Sequence, residues 1–179
     1  MISLKSKTTI KILNYFFLNP KAKNYINELA KILDLDPKNL YRKLRELEKE
    51  GILESEFLGK QRYFYLSKGP IVEAYRQIIL KTVGFESLLK KVLNKIKGIK
   101  EAYLFGSYAR DKMDTSSDID LLVIGNHSPL ILQKEIIKLQ REIDREINII
   151  NMSEKEFKEK KNKDPFIKNI FSNKFIKIK

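Results

Sequence analysis

Ala102-Tyr103-Leu104-Phe105-Gly106-Ser107-Tyr108-Ala109-Arg110, followed after seven residues by Asp118-Ile119-Asp120-Leu121-Leu122-Val123-Ile124, reads as strand, turn and strand. Residues two apart in a strand point to the same side, so Asp118 and Asp120 project together while Ile119 and Leu121 enter the opposite, buried face. Two neighbouring carboxylates repel unless a cation lies between them, and all-oxygen ligation of that kind suits Mg²⁺ or Mn²⁺. A solvated strand end carries the same pair with no ligand at all. The upstream turn bears on that choice: Gly106 allows close backbone approach, and Ser107 stands at the start of a short helix, where amides and a hydroxyl suit phosphate.

A phosphate-cradling turn and a metal-holding carboxylate pair on adjacent strands are what transfer of a nucleotidyl group from a nucleoside triphosphate requires. Gly106-Ser107-Tyr108-Ala109-Arg110, seven residues, then Asp118-Ile119-Asp120-Leu121-Leu122-Val123 resembles the Gly-Ser and Asp-x-Asp signature of the DNA polymerase β-like nucleotidyltransferase superfamily in its minimal form, over about residues 85–151. The resemblance implies an α/β domain with a small mixed sheet. It implies Gly106 and Ser107 on the triphosphate, Asp118 and Asp120 on the metal, and Arg110 bracing the turn or contacting phosphate. Asp111 stands where glycine is common in that family.

The resemblance also implies a third carboxylate on a neighbouring strand, completing the metal site and acting on the attacking hydroxyl. The next strand is Glu146-Ile147-Asn148-Ile149-Ile150, in which the family's apolar-acid-apolar pattern puts Asn148 at the acid position. An amide can ligate a metal but does not serve as a base near neutral pH. Glu146, one pleat away on the same face, is the substitute catalytic carboxylate; the other outcome is a site that binds nucleotide and catalyses poorly.

Upstream, Ile10, Ile12, Leu13, Phe16 and Phe17 recur at helical spacing, as do Ile26, Leu29, Ala30 and Leu33. Asp36-Pro37 starts a third helix that runs to about Glu50, and Gly51 ends it. Ile52 to Phe57 and Arg62 to Leu66, joined through Gly59-Lys60, form a hairpin. Three short helices and a hairpin follow the order of a winged helix-turn-helix, and residues 36–53 resemble the winged-helix regulators of bacteria and archaea. In the third helix Leu40, Leu44 and Leu47 face inward, with Lys38, Arg42, Arg45 and Lys49 opposite. Lys38, Asn39, Arg42 and Arg45 are the expected contacts to double-stranded DNA, with Lys60 and Arg62 of the hairpin reaching an adjacent backbone. An ordinary amphipathic helix with solvated charges has the same pattern, and Glu46, Glu48 and Glu50 favour it.

Lys68-Gly69-Pro70 punctuates the chain, which predicts two domains: a winged helix-turn-helix (α+β) at 1–68, a helical connector at 69–84, and the α/β nucleotidyltransferase-like domain at 85–179. The connector's Ile71, Ala74, Tyr75, Ile78 and Ile79 form a stripe that packs on neighbouring domains or pairs with a second copy, which predicts a homodimer. Ser128-Pro129 opens a helix whose stripe includes Leu132, Ile136, Leu139 and Ile143, and Ser153-Glu154-Lys155-Glu156 is a capping box. Phe166, Ile167, Ile170, Phe171, Phe175 and Ile176 are expected to cover the sheet. Lys158, Lys160, Lys161 and Lys163 read as a solvated run, a substrate-channel lining being the alternative.

The 179 residues carry 36 Lys and Arg against 23 Asp and Glu, a formal charge of +13, with 42% hydrophobic residues. That is a globular composition, and the surplus favours polyanionic partners, although a lysine-rich proteome gives the same balance. Cysteine is absent, which excludes disulfides, thiolate metal sites and cysteine nucleophiles. His127, the single histidine, reads as a surface residue beside a turn. No apolar run approaches the roughly 20 residues of a membrane span, and Met1-Ile2-Ser3-Leu4-Lys5 lacks the layout of a signal peptide, so a cytoplasmic protein is expected. The functional expectation is a DNA-binding protein that binds NTP with Mg²⁺ or Mn²⁺ and transfers a nucleoside monophosphate to a hydroxyl acceptor, a protein hydroxyl being one candidate. The alternative is a non-catalytic, nucleotide-responsive transcriptional regulator.

Overall fold

Ser6 starts the first helix, its hydroxyl accepting from the Thr9 amide at 3.2 Å. The computed structural model describes residues 6–114 and 117–179; the Met1 to Lys5 segment read for a signal peptide lies outside the described residues. The chain divides into two units, Met1–Ser87 with Glu142–Asp144, and Leu88–Arg141 with Arg145–Lys179.

The first unit runs α1 (Lys7–Leu18), β1 (Lys23–Tyr25), α2 (Ile26–Leu33), α3 (Pro37–Lys49), β2 (Leu53–Leu58), β3 (Gln61–Leu66) and α4 (Pro70–Thr82). Asp36 caps α3 by accepting from the Asn39 amide at 2.8 Å, and Pro37 takes the first helical position, where its missing donor costs nothing. Leu40, Leu44 and Leu47 are buried, as the helical spacing predicts, so truncating any one to Ala costs about 2–5 kcal/mol. The hairpin has β2 and β3 antiparallel with Leu58 opposite Gln61. β1 adds a third strand beside β3, pairing Asn24 with Phe64. This strand is too short for a periodic signal; pairing with β3 holds it, together with side-chain contacts such as the Tyr15 hydroxyl donating to Asn24 Oδ1 at 2.8 Å.

The structure splits the connector stripe, burying Ile79 and leaving Ile71, Ala74 and Ile78 exposed. The buried face of α4 is Val72, Arg76, Ile79 and Leu80, whereas Ile71 and Ile78 are exposed. Arg76 lies on the buried face, with Nε donating to the Phe17 carbonyl at 3.1 Å and Nη1 paired with Glu73 at 2.9 Å. The unit continues past α4 to Gly84, where an added Cβ would stand 2.5 Å from Asn14 Oδ1 and 2.7 Å from the Ile79 carbonyl. Asn14 Oδ1 accepts from the Phe85 amide at 3.1 Å.

The second unit holds most of α5 (Phe85–Lys95), then β4 (Ile99–Phe105), α6 (Gly106–Ala109), β5 (Ile119–Gly125), α7 (Pro129–Ile143), β6 (Ile147–Met152), α8 (Glu154–Lys160), α9 (Pro165–Ser172) and β7 (Ile176–Lys177). The four-stranded mixed sheet has the order β6-β5-β4-β7. β4 is antiparallel to β5 and to β7, and β5 is parallel to β6 through the α7 crossover. Tyr103, Phe105, Leu122 and Ile124 pack from one sheet face with Phe157, Ile167 and Ile170. Alternate residues Leu104, Leu121 and Val123 are also fully buried, so the sheet is covered on both faces. The α7 stripe of Leu132, Ile136, Leu139 and Ile143 is buried, and Ser153 with Glu156 forms the capping box.

Ile167 and Ile170 cover the sheet with Phe171 against them, and Phe166 and Phe175 lie edge-on against Phe105 and Tyr103 of β4 while staying 48% and 38% exposed. His127 is half-buried, with Nε2 2.8 Å from Asn151 Oδ1. No helix among the described residues is long and apolar enough to cross a membrane.

Candidate functional site

Register builds the carboxylate site. Phe105 stands opposite Asp120 in the β4–β5 pair, so Gly106, the next residue, emerges beside the Asp120 side chain. Gly106 has φ +69°, and a Cβ placed there would lie 2.0 Å from Asp120 Oδ2, so only glycine permits both the backbone conformation and the approach. On the other side, the parallel β5–β6 register sets Asn148 opposite Asp120. Asp118 precedes β5, and the Asn148 amide donates to Asp118 Oδ2 at 3.2 Å. Gly106, Asp120 and Asn148 thus form a row across adjacent strands, with Asp118 alongside.

Burial raises the Asp120 pKa; hydrogen bonding by the Asn148 amide opposes this, the Asp118 charge adds to it, and Arg110 partly offsets it. Two half-buried carboxylates held by one amide, with a cation only nearby, form a hard oxygen donor set lacking a compensating charge. Those residues fit a divalent cation of the Mg²⁺ or Mn²⁺ type. Among the described residues no three His, Cys, Asp or Glu side chains group as metal ligands. Glu146 therefore does not join the pair as a third carboxylate; it lies before β6 with its side chain exposed, and its carbonyl accepts from the Ile119 amide at 3.0 Å.

The turn after Gly106 keeps a glycine-like backbone without the glycine. Asp111 has φ +55°, a conformation that Asp tolerates better than most residues, and its carboxylate pairs with Lys174 at 2.5 Å. Ser107 is half-buried in α6, and its carbonyl accepts from the Lys112 amide at 2.9 Å. Arg110 is exposed.

Sequence reasoning misses Arg145. This buried guanidinium donates to the Ser117 carbonyl at 2.7 Å and the Asp114 carbonyl at 2.8 Å, tying down the chain just ahead of Asp118. Nothing in the sequence sets it apart from the surface cations, because its partners are backbone carbonyls some 30 residues away.

In the first unit, Lys38, Arg42 and Lys49 are the exposed cations of the α3 face, with Lys60 exposed at the hairpin turn. Arg42 donates to Asn39 Oδ1 at 3.0 Å, and Asn39 Nδ2 reaches Thr8 Oγ1 at 3.4 Å. Arg62 is not a free tip residue. Its Nη2 lies 2.9 and 3.1 Å from the two Glu48 oxygens and its Nε donates to Ser55 Oγ at 2.8 Å, while Arg45 pairs with Glu48 at 2.5 Å. Glu48 therefore ties the hairpin to α3 through Arg62 and Ser55, while Arg45 pairs with it within the helix. Tyr25, Asn27, Tyr41, Phe57 and Lys60 line a cleft of about 300 Å³ between hairpin and helices, where Phe57 is 68% exposed.

A model of the nucleotidyltransferase domain matches residues 86–178, slightly more than half of the chain, and a model of the winged helix-turn-helix DNA-binding domain matches residues 5–54. Among solved structures the chain is similar to reduced HlyU from Vibrio cholerae N16961, at 18% identity over 45% of this chain and 80% of that one, with a TM-score of 0.37. It is similar to a toxin-antitoxin structure with AMP-PNP, at 18% identity over 52% and 72%, TM-score 0.40. A mutant toxin-antitoxin MntA-HpeT is similar at 16% identity over the same shares, TM-score 0.41. No curated protein matches the chain.

Proposed function

Because the chain belongs to the nucleotidyltransferase domain family and carries a winged helix-turn-helix DNA-binding domain before it, we propose that it binds DNA through α3 and the hairpin and transfers a nucleoside monophosphate from an NTP to a hydroxyl acceptor. The single observation that carries this reading is the row in which Gly106 backs onto Asp120 and Asn148 holds Asp118. Domains of this family generally use NTP and a divalent metal. Asp118 and Asp120 would hold that ion, Mg²⁺ or Mn²⁺, which supplies charge neutralisation for the triphosphate.

In the reaction the acceptor oxygen bonds to the α-phosphorus, the bond to the β-phosphate oxygen breaks, and pyrophosphate leaves with the electron pair. Gly106 keeps the turn close to the carboxylates, Ser107 and Arg110 serve the phosphates, and Asn148 fixes the orientation of Asp118. The acceptor proton passes to a carboxylate or water, because the Asn148 amide takes none near neutral pH. A protein hydroxyl is one candidate acceptor. On DNA, Lys38, Asn39, Arg42 and Lys60 make the contacts, Arg45 and Arg62 supporting them from the Glu48 clamp. A homodimer reading paired half-sites fits the exposed Ile71 and Ile78 of α4.

Asn148 favours a second reading, a regulator in which NTP binding changes DNA affinity without turnover. Incubation with labelled NTPs, Mg²⁺ or Mn²⁺ and a cell extract separates the two. Label transfer that falls by about 100-fold or more in Asp118→Asn/Asp120→Asn supports the enzyme. Tight NTP binding with no transfer to any acceptor supports the regulator, and absence of metal-dependent NTP binding rejects both.

A further inference from the structure

The second unit carries a cavity of about 190 Å³ that opens beside Gly106 and whose far wall plays no part in the chemistry above. Gly106 and Arg110 line it from the turn, and Phe166, Asn169 and Asn173 line it from α9 and its end, with Lys174. Ligand pockets commonly run to roughly 300–1,000 Å³, so this one is too small for a whole nucleoside triphosphate and is sized for a planar ring system.

The lining has the chemistry such a ring needs. Phe166 contacts Phe105 edge-on, with centroids 6.0 Å apart, yet remains 48% exposed, which leaves aromatic surface free. Expected from sequence to cover the sheet, it stands outside that core while Ile167 and Ile170 fill it. The Asn173 amide donates to the Asn169 carbonyl at 2.8 Å and to Asn169 Oδ1 at 2.9 Å, which spends both of its hydrogens. Asn173 thereby offers an oxygen acceptor and Asn169 an NH₂ donor, a complementary pair like those that read base edges. Arg110 and Lys174 make the approach cationic, although Lys174 is partly compensated by Asp111.

Resting on the nucleotide reading above, we propose that this cavity is the base subsite: the nucleobase of the bound NTP lies against Phe166, and Asn169 and Asn173 read its edge. The triphosphate remains at Gly106 and the carboxylate pair, which the cavity adjoins through Gly106 itself. Phe166, Asn169 and Asn173 are specificity residues, and removing them changes which NTP binds without removing the phosphate site.

The test titrates the full chain, in Mg²⁺, with ATP, CTP, GTP, UTP and inorganic tripolyphosphate. Phe166→Ala is expected to weaken NTP binding by about 10-fold, the scale of one base–aromatic stack, with tripolyphosphate affinity unchanged and recovery in Phe166→Tyr. Asn169→Ala is expected to narrow the spread of affinities among the four NTPs. Because Phe166 is half-exposed, both Phe166 variants should melt with the wild type. If Phe166→Ala leaves NTP affinity unaltered, weakens NTP and tripolyphosphate equally, or if the wild type binds tripolyphosphate as tightly as every NTP, the base subsite is rejected while the phosphate site stands. If the wild type binds neither, the nucleotide reading falls with it.

Discussion

The two units treat charge in opposite ways. On the α3 face, Glu48 is met by Arg45, Arg62 and the Ser55 hydroxyl, and Lys43 is paired with Glu46. In the row across β4, β5 and β6, Asp118 and Asp120 sit together half-buried, with one amide between them and Arg110 nearby. Compensated charge fastens a hairpin to a helix and needs nothing from outside, whereas the like-charged pair keeps a repulsion that raises the Asp120 pKa and that a bound cation would relieve.

The contrast breaks hardest at Gly106. In Gly106→Ala the left-handed backbone and the Asp120 contact together cost about 2–5 kcal/mol, and the displaced carboxylate should lose metal-dependent NTP binding. Thermal melts with NTP titration check this; a variant that melts and binds like the wild type removes the close approach as the basis of the site. Arg145→Ala leaves two backbone carbonyls without their partner and should destabilise by about 1–3 kcal/mol, with NTP affinity falling alongside as Asp118 loosens. Denaturant melts and NTP titration of Arg145→Lys, which restores one bond but not the fork, should give an intermediate result.

Smaller effects sharpen the first unit's side. Lys38→Ala/Arg42→Ala should weaken binding to any duplex and reduce the salt slope by about 2, one phosphate contact for each cation, read from log K against log salt. An unchanged slope would assign α3 to another partner. The smallest effect concerns Glu48. Burial raises its pKa, but hydrogen bonds from Ser55 and Arg62 and the charges of Arg62 and Arg45 outweigh that and leave it lowered. A lowered carboxyl pKa stabilises the fold above the unfolded-state value, and that contribution disappears as pH falls through the folded-state value. Glu48→Gln should therefore cost about 1 kcal/mol or less at neutral pH and converge on the wild type in acid, which urea melts across pH would show.

Legibility followed the range of the interactions. Asp36-Pro37, the Leu40, Leu44 and Leu47 stripe, the Gly59 turn and the Ser153 capping box act within a few residues, and each appears in the structure where the sequence sets it. The Gly-Ser and Asp-x-Asp motifs are equally local, since each follows from one strand's period or one turn. Arg76 was not legible as a buried residue, because its partner is the Phe17 carbonyl, far away in the chain. β1 and β7 span three and two residues and carry no periodicity.

What the sequence determined by itself is the inventory: a cap, a stripe or an Asp-x-Asp is written within one turn or one strand, where spacing and chemistry suffice. Tertiary structure alone decided the pairings. Parallel register put Asn148 against Asp118 and opposite Asp120, and left Glu146 outside the group. Antiparallel register pressed Gly106 onto Asp120, and the hairpin brought Arg62 to Glu48 rather than leaving it at the tip. Each is a contact between residues distant in the chain, whose geometry is fixed by strand register and packing, and neither quantity is encoded at any single position.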